Sequence, residues 1–246
     1  MGSRILVNGA KGKMGTEAVL TLNSVSDLEL VLALDKDDEL NAELKKTSVD
    51  VALDLTYPVG LKDRICSYLD AGLNVVVGAT GLTESDKTII SKQALAVQKK
   101  VLLCPNFSIS ALLMMKFSVE AAKYMPRVEI IEYHHDKKVD APSGTAIKTA
   151  EMIQENGVLV NEKDLEESEV LQGARGGKCG RIPIHALRLP GIVADQDVIF
   201  GGIDQTFMLR QTTLSRKAFM PGVLLALRGL DTLKIGLTDG LEHLLQ

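Results

Sequence analysis

Short apolar runs alternate with amphipathic stretches through the first hundred residues. Residues 4–8 read as a strand and 14–22 as a helix, with Met14, Ala18, Val19 and Leu22 on one face. Residues 28–35 form a second strand, apolar nearly throughout, as expected for a strand covered on both sides. The same kind of run recurs at 50–55, 74–79 and 100–103, separated by helical stretches at 61–71 and 84–98. Gly72 stands where a glycine ends a helix. Strand–helix–strand repetition predicts a Rossmann-type, doubly wound parallel sheet.

The pattern changes after Phe107. Residues 110–125 read as an apolar helix with Ser110 as N-cap, followed by longer strands at 128–134, 182–189, 194–200 and 206–214. Strands following strands predict an inserted α+β domain with a mixed or antiparallel sheet. Residues 161–169 are acidic and 173–180 hold four glycines, so both read as a mobile surface loop. Helix returns at 218–228, with Pro221 tolerated in its first turn, and the chain ends in short Leu-rich structure. The expected domains are 1–107 with 216–246 for the dinucleotide, and 108–215 for substrate and oligomerisation. Arg216, at the return, reads as a hinge, a cofactor contact or a plain surface arginine.

Composition narrows the classes. The 246 residues are 46% hydrophobic and 24% charged, enough for a packed core. A net charge of −4 argues against a nucleic-acid partner, and no apolar run is long enough to cross a membrane. The first residues lack a signal-peptide pattern. With no Trp, five Phe and four Tyr, aromatic stacking platforms are scarce. Cys66, Cys104 and Cys179 are too widely spaced for a zinc knuckle or redox dithiol, which points to a reducing cytoplasm.

The segment Val7-Asn8-Gly9-Ala10-Lys11-Gly12-Lys13-Met14-Gly15 joins the first strand to the first helix with glycines in G-x-x-G-x-x-G. Glycines there permit a sharp turn, close approach of backbone N–H groups to a pyrophosphate, and tight helix–strand packing. The helix N-terminus adds partial positive charge. Asp35 closes the second strand twenty residues after Gly15, where a ribose-binding carboxylate belongs. Asp35 suits the 2′-hydroxyl of NAD, while Lys36 offers a partner to the 2′-phosphate of NADP, so dual use of NADH and NADPH is expected.

Residues 129–146 hold the densest chemistry: a strand, a charged loop with His134, His135 and Lys138, then a helix entered through Pro142 with Ser143 as N-cap. Ala146, Ile147, Ala150 and Ile153 form that helix's buried stripe, so Gly144 and Thr145 present backbone N–H groups at its N-terminus. Two of the four histidines, a lysine and an anion-binding helix end suit a small carboxylate substrate that is protonated during reaction. Adjacent strand residues point to opposite faces, so His134 and His135 would not readily share an ion, and no metal is expected. A solvated loop with a helix cap is the plainer alternative.

The segment matches E-x-x-E-x-H-H-x-x-K-x-D-x-P-S-G-T-A at every fixed position and resembles the dihydrodipicolinate (4-hydroxy-tetrahydrodipicolinate) reductase family. Asp54-Leu55-Thr56-Tyr57-Pro58, Gly78-Ala79-Thr80-Gly81, Pro105-Asn106-Phe107-Ser108 and Ser215-Arg216 with Phe219 and Gly222 extend the likeness along the chain. The family often has Thr at Ala79 and Ala at Cys104. The resemblance implies a cytoplasmic, homotetrameric oxidoreductase of diaminopimelate and lysine biosynthesis, transferring hydride from NAD(P)H to (hydroxy)dihydrodipicolinate. It implies His134 and Lys138 as the protonating pair, and His135, Lys138, Ser143, Gly144 and Thr145 as the binders of a small dicarboxylate. It places Gly9, Ala10, Lys11, Gly12, Lys13, Met14, Asp35, Lys36, Gly78, Ala79, Thr80, Cys104, Pro105, Asn106 and Phe107 along the cofactor. Crowding by Lys137, Lys138 and the helix dipole disfavours an imidazolium, which favours Lys138 as donor without removing His134. Two other classes fit the first half: an aspartate or homoserine dehydrogenase, and a nucleotide-sensing regulator. Neither has a reason to keep the His134–Thr145 constellation.

Overall fold

The computed structural model describes residues 2–162 and 168–245. In chain order the first elements are β1 (Ser3–Asn8), α1 (Lys13–Leu22), β2 (Leu28–Leu34), α2 (Leu40–Lys46), β3 (Val51–Asp54), α3 (Leu61–Asp70), β4 (Asn74–Val77), α4 (Glu84–Ala96) and β5 (Lys100–Leu103). Then follow α5 (Ile109–Ala122), β6 (Arg127–His134), α6 (Gly144–Glu155), β7 (Gly177–Cys179), β8 (Ile182–Arg188), β9 (Ala194–Gly202), β10 (Gln205–Thr213), α7 (Met220–Gly229) and β11 (Gly236–Asp239). The chain divides into two compact units, Met1–Ser108 with Arg216–Gln246, and Ile109–Ser215.

The first unit is a six-stranded sheet in the order β11-β5-β4-β3-β1-β2, parallel throughout. The chain leaves β1 toward β2 on one side and then builds β3 on the other, which opens a crevice at the carboxyl ends of β1 and β3. Leu6, Ala52, Val75 and Val101 pack with Ile65, Tyr68 and Ile90 into the core. Local sequence sets the helix ends. Thr83 accepts from the Asp86 backbone and Asp86 from that of Thr83, a reciprocal cap for α4. Beyond α3, Gly72 at φ +76° lets Gly72 and Leu73 donate back to the Leu69 and Tyr68 carbonyls.

Three expectations change here. β2 is an edge strand, not a covered one: only β1 flanks it, and Glu29 and Ala33 are exposed. The polar α2 buries no residue, so hydrophobic spacing did not reveal it. The Leu-rich end contributes β11, a short sixth strand beside β5.

The second unit is a five-stranded mixed sheet, β10-β9-β6-β8-β7, in which β6 and β8 run parallel and the other pairs antiparallel. Val128, Ile130, Ile184, Val198 and Phe200 meet Met114 and Ala122 of α5 and Ala146, Ala150 and Ile153 of α6. Helix α5 begins at Ile109, so Ser110 lies inside its first turn and is not its N-cap. The glycine-rich 173–180 segment is partly strand: β7 pairs with β8. Residues 163–167 of the expected acidic loop lie outside the described residues.

One buried group orders the strand ends of the first unit. Asp54, the last residue of β3, is 0% exposed. Its carboxylate accepts from the Thr56 backbone (3.0 Å), the Tyr68 hydroxyl (3.0 Å) and Arg64 Nε (3.2 Å). Tyr68 in turn accepts from the Asn8 side chain at the end of β1 (2.7 Å). A buried carboxylate requires such partners, because desolvation without them costs several kcal/mol. Asp54→Asn leaves Arg64 without its counter-charge. The expected loss is about 2–3 kcal/mol, or about 4–12 °C in Tm. A thermal melt indistinguishable from wild type would contradict the role given to this pair.

Candidate active site

The carboxyl ends of β1, β2 and β3 enclose a cleft of about 490 Å³. Gly9, Lys11, Gly12, Asp35 and Lys36 line it, together with Thr56, Tyr57 and Arg64. Gly9 has φ +85°, and a Cβ at Gly15 would run into the Gly9 carbonyl oxygen, so this turn requires glycine at both places. The turn uses its own N–H groups. Gly9 and Ala10 donate to the Leu34 carbonyl (both 2.9 Å), Gly12 to that of Gly9 (3.0 Å), and Lys11 to the Asp35 carboxylate (2.8 Å). The N–H groups of the first turn of α1, at Lys13 and Met14, have no preceding helical carbonyl to bond. Gly12, as N-cap, has no side chain to compete for them.

Asp35 is bracketed by backbone donors. The N–H of Lys36 (2.8 Å) and that of Lys11 hold its carboxyl below the usual carboxylate range. It is thus an anion with lone pairs left for a ribose hydroxyl. Lys36 is exposed beside it. Arg64 donates to the Val59 and Tyr57 carbonyls (both 2.6 Å), and its guanidinium lies 5.3 Å from the Tyr57 ring centre. Thr56, Tyr57 and Arg64 were not sequence candidates for the cleft. The motif containing Thr56 and Tyr57 was visible, whereas Arg64 looked like any helix-surface arginine.

Residues 78–80 follow β4, and Cys104, Pro105, Asn106 and Phe107 follow β5, all beyond the residues lining the cleft. Cys104 and Phe107 are buried, and burial pushes the Cys104 thiol far above its ordinary value. A Cβ at Gly78 would meet the Phe107 ring and Leu55, which packs these two strand ends together. Arg216 is exposed at the start of a single 3-10 turn.

In the second unit, β6 ends at His134, a loop carries His135 and Lys138, and α6 begins after Ser143. The Ser143 hydroxyl caps α6 by accepting from the Ala146 N–H (3.2 Å). Glu132, 0% exposed, joins the two ends of this segment. One of its oxygens accepts from the Ser143 backbone (3.0 Å) and the other meets His134 Nδ1 (2.6 Å). Arg188 of β8 bridges both oxygens (2.8 Å each) and also donates to the Asp140 carbonyl (2.8 Å). Neither Glu132 nor Arg188 is among the site residues expected from the sequence. Glu132 stood in the motif, while Arg188 lies 56 residues away and is brought in by parallel β6–β8 pairing.

The charges follow. Burial pushes the Glu132 carboxyl up, but Arg188 and His134 outweigh it and hold it below the usual range. Burial pushes the His134 imidazole below its ordinary value; Glu132 pulls the other way, while Lys138 and Arg188 add to the depression. Lys138 pairs with Asp140 (2.6 Å), and of the two Lys138 is the more sheltered, at 18% against 68% exposure. The segment thus presents an imidazole held below its ordinary value, the sheltered Lys138 and a capped helix N-terminus with Gly144 exposed at its first position. His135 lies part-buried in the same loop.

A family model described as dihydrodipicolinate reductase, N-terminus, matches residues 3–107, and one described as dihydrodipicolinate reductase, C-terminus, matches residues 110–245. A 4-hydroxy-tetrahydrodipicolinate reductase of Halalkalibacterium halodurans is 42% identical over 97% of this chain and 99% of its own. That of Syntrophomonas wolfei is 41% identical over 99% and 98%. A dipicolinate-bound dihydrodipicolinate reductase from Paenisporosarcina sp. superposes with a TM-score of 0.88 at 38% identity, covering 99% of each chain. With both halves of the chain matched, and full-length relatives near 40% identity, the chain belongs to the dihydrodipicolinate reductase family.

Proposed function

We propose that this chain reduces (hydroxy)dihydrodipicolinate to tetrahydrodipicolinate with NADH or NADPH, a step of diaminopimelate and lysine biosynthesis. Family membership supports the activity, and the Paenisporosarcina relative is described as bound to dipicolinate, a ring diacid of the same class. The observation that carries the site reading is the Glu132 bridge, which sets His134 against the N-terminal end of α6. That end, with His135, Lys138, Ser143, Gly144 and Thr145, offers the donors and positive charge that a dicarboxylate requires.

In the first unit, the turn of Gly9, Ala10, Lys11, Gly12, Lys13 and Met14 would hold the pyrophosphate, and Asp35 with Lys36 the adenosine ribose. Gly78, Ala79, Thr80, Cys104, Pro105, Asn106 and Phe107 would line the nicotinamide end. The cofactor supplies a hydride. The cleft and the crowded glycine turn support a place for the adenosine and pyrophosphate part of that molecule.

Reduction leaves negative charge on a ring carbon or nitrogen, which must be stabilised and protonated. The depressed His134 value favours the neutral ring near pH 7, with Nδ1 2.6 Å from Glu132. Lys138 carries the transferable proton, released as the ammonium exchanges Asp140 for substrate. A homotetramer is supported by the sheet face opposite α5 and α6. There Met208 is 51% exposed, and Ile131, Leu187 and Ile199 are only partly buried. A reducing cytoplasm is supported by free Cys66, Cys104 and Cys179. Among the described residues no helix is long and apolar enough to cross a membrane.

Loss of 340 nm absorbance from NADH or NADPH, with the product freshly made by the preceding synthase as substrate, tests the activity. No oxidation there would overturn it, and oxidation on oxaloacetate with ammonia would favour an aspartate dehydrogenase. Lys138→Ala should lose on the order of 10²–10⁴ in kcat while NADH binding persists. Unchanged turnover in that variant would remove the proton-donor role. Because Asp35 and Lys36 serve both ribose forms, kcat/KM for NADH and NADPH should lie within about a hundredfold, roughly 2.7 kcal/mol. A larger preference would contradict dual use.

A further inference from the structure

Glu132 is a wholly buried acid that neither binds a ligand in the reading above nor faces solvent. Its two oxygens accept four hydrogen bonds, from His134 Nδ1, the Ser143 backbone and both terminal nitrogens of Arg188. An ionised carboxylate can only accept, so His134 Nδ1 must carry a proton and Nε2 is left as the nitrogen that can serve a ligand. The opposite tautomer would set a lone pair against the carboxylate. Arg188 makes the acid's geometry rigid: its planar fork matches the carboxylate edge to edge, and its side chain is 19% exposed. Arg188 also reaches the Asp140 carbonyl, tying down the loop that carries Lys138.

We propose that Glu132, locked by Arg188, is a positioning residue that fixes the tautomer and orientation of His134 and registers it against the start of α6. The proposal deepens the site reading above and rests on His134 presenting Nε2 to the substrate as an acceptor, beside Lys138 as the donor. The charged groups around His134 are Glu132 on its own strand, Lys138 on the following loop and Arg188 on β8. Removing the carboxylate takes away the one group that favours the imidazolium, so the ring must then titrate at lower pH.

The test compares wild type, Glu132→Gln, His134→Ala and the double variant. Glu132→Gln should lower kcat by about 10–100-fold with the NADH KM little changed, a loss typical of removing a ligand-orienting partner. In the His134→Ala background the further loss of kcat should be much smaller, because Glu132 acts chiefly through that ring. NMR titration of the His134 Cε1 proton should give a lower midpoint in Glu132→Gln, and ring ¹⁵N shifts should show the Nδ1–H form in wild type. Turnover of Glu132→Gln within twofold of wild type, an undiminished further loss on His134→Ala, or a predominant Nε2–H form would each overturn the proposal. Full turnover in His134→Ala would instead overturn the catalytic reading of that residue, and the NMR arm would still decide the positioning claim. Should the uncompensated Arg188 charge unfold Glu132→Gln, the pair Glu132→Gln/Arg188→Gln removes both charges and carries the same measurements.

Discussion

A carboxylate withdrawn from water must be met by charge and hydrogen bonds, or it costs more than a small protein can spare. Each unit of this chain contains such a group near the carboxyl end of a strand: Asp54 in β3 and Glu132 in β6, both 0% exposed. Each is paired with an arginine from another element, Arg64 of α3 and Arg188 of β8. Each also accepts a backbone N–H from the segment beyond its strand, Thr56 in one case and Ser143 in the other. The requirement to satisfy the acid therefore becomes a requirement on where the loop goes. Buried pairs of this kind often add little net stability over well-packed apolar residues. Their contribution here is placement.

Placement matters because both loops flank the helix ends that the proposed function gives to anions. In the first unit the N-cap is Gly12, which lacks a side chain and leaves the first turn of α1 without a side-chain cap. In the second the N-cap is Ser143, whose hydroxyl occupies the Ala146 N–H. The difference suits a diffuse pyrophosphate on one side and a small carboxylate on the other. Asp35 and His134 extend the parallel, since each owes its protonation state to its neighbours. Backbone N–H groups keep Asp35 ionised, and burial keeps His134 mainly neutral despite Glu132.

Much of this was legible in the sequence because it is local. The glycine turn, Asp35 at a strand end, the Ser143 cap and the buried stripe of α6 all depend on residues within a few positions of one another. What escaped is either too polar, too short or too distant. Helix α2 buries nothing and so carries no apolar stripe. β7 spans three residues in a glycine-rich run, and exists because β8 offers an edge to it. Ser110 looked like a cap because it precedes an apolar run, but the helix had already begun at Ile109. The partners of the buried acids are the clearest case. Arg64 and Tyr68 lie 10 and 14 residues beyond Asp54, and Arg188 lies 56 beyond Glu132. Nothing in an arginine's immediate neighbours reveals that a carboxylate awaits it across a sheet.

If satisfied acids order these loops, their amides must open only with the strands themselves. Residue-resolved native-state hydrogen exchange measures this directly. The account predicts that the amides of Thr56 and Ser143 exchange about as slowly as those within β3 and β6, although both lie outside any strand. Exchange of either amide at the rate of an exposed loop, with the strands still protected, would contradict it.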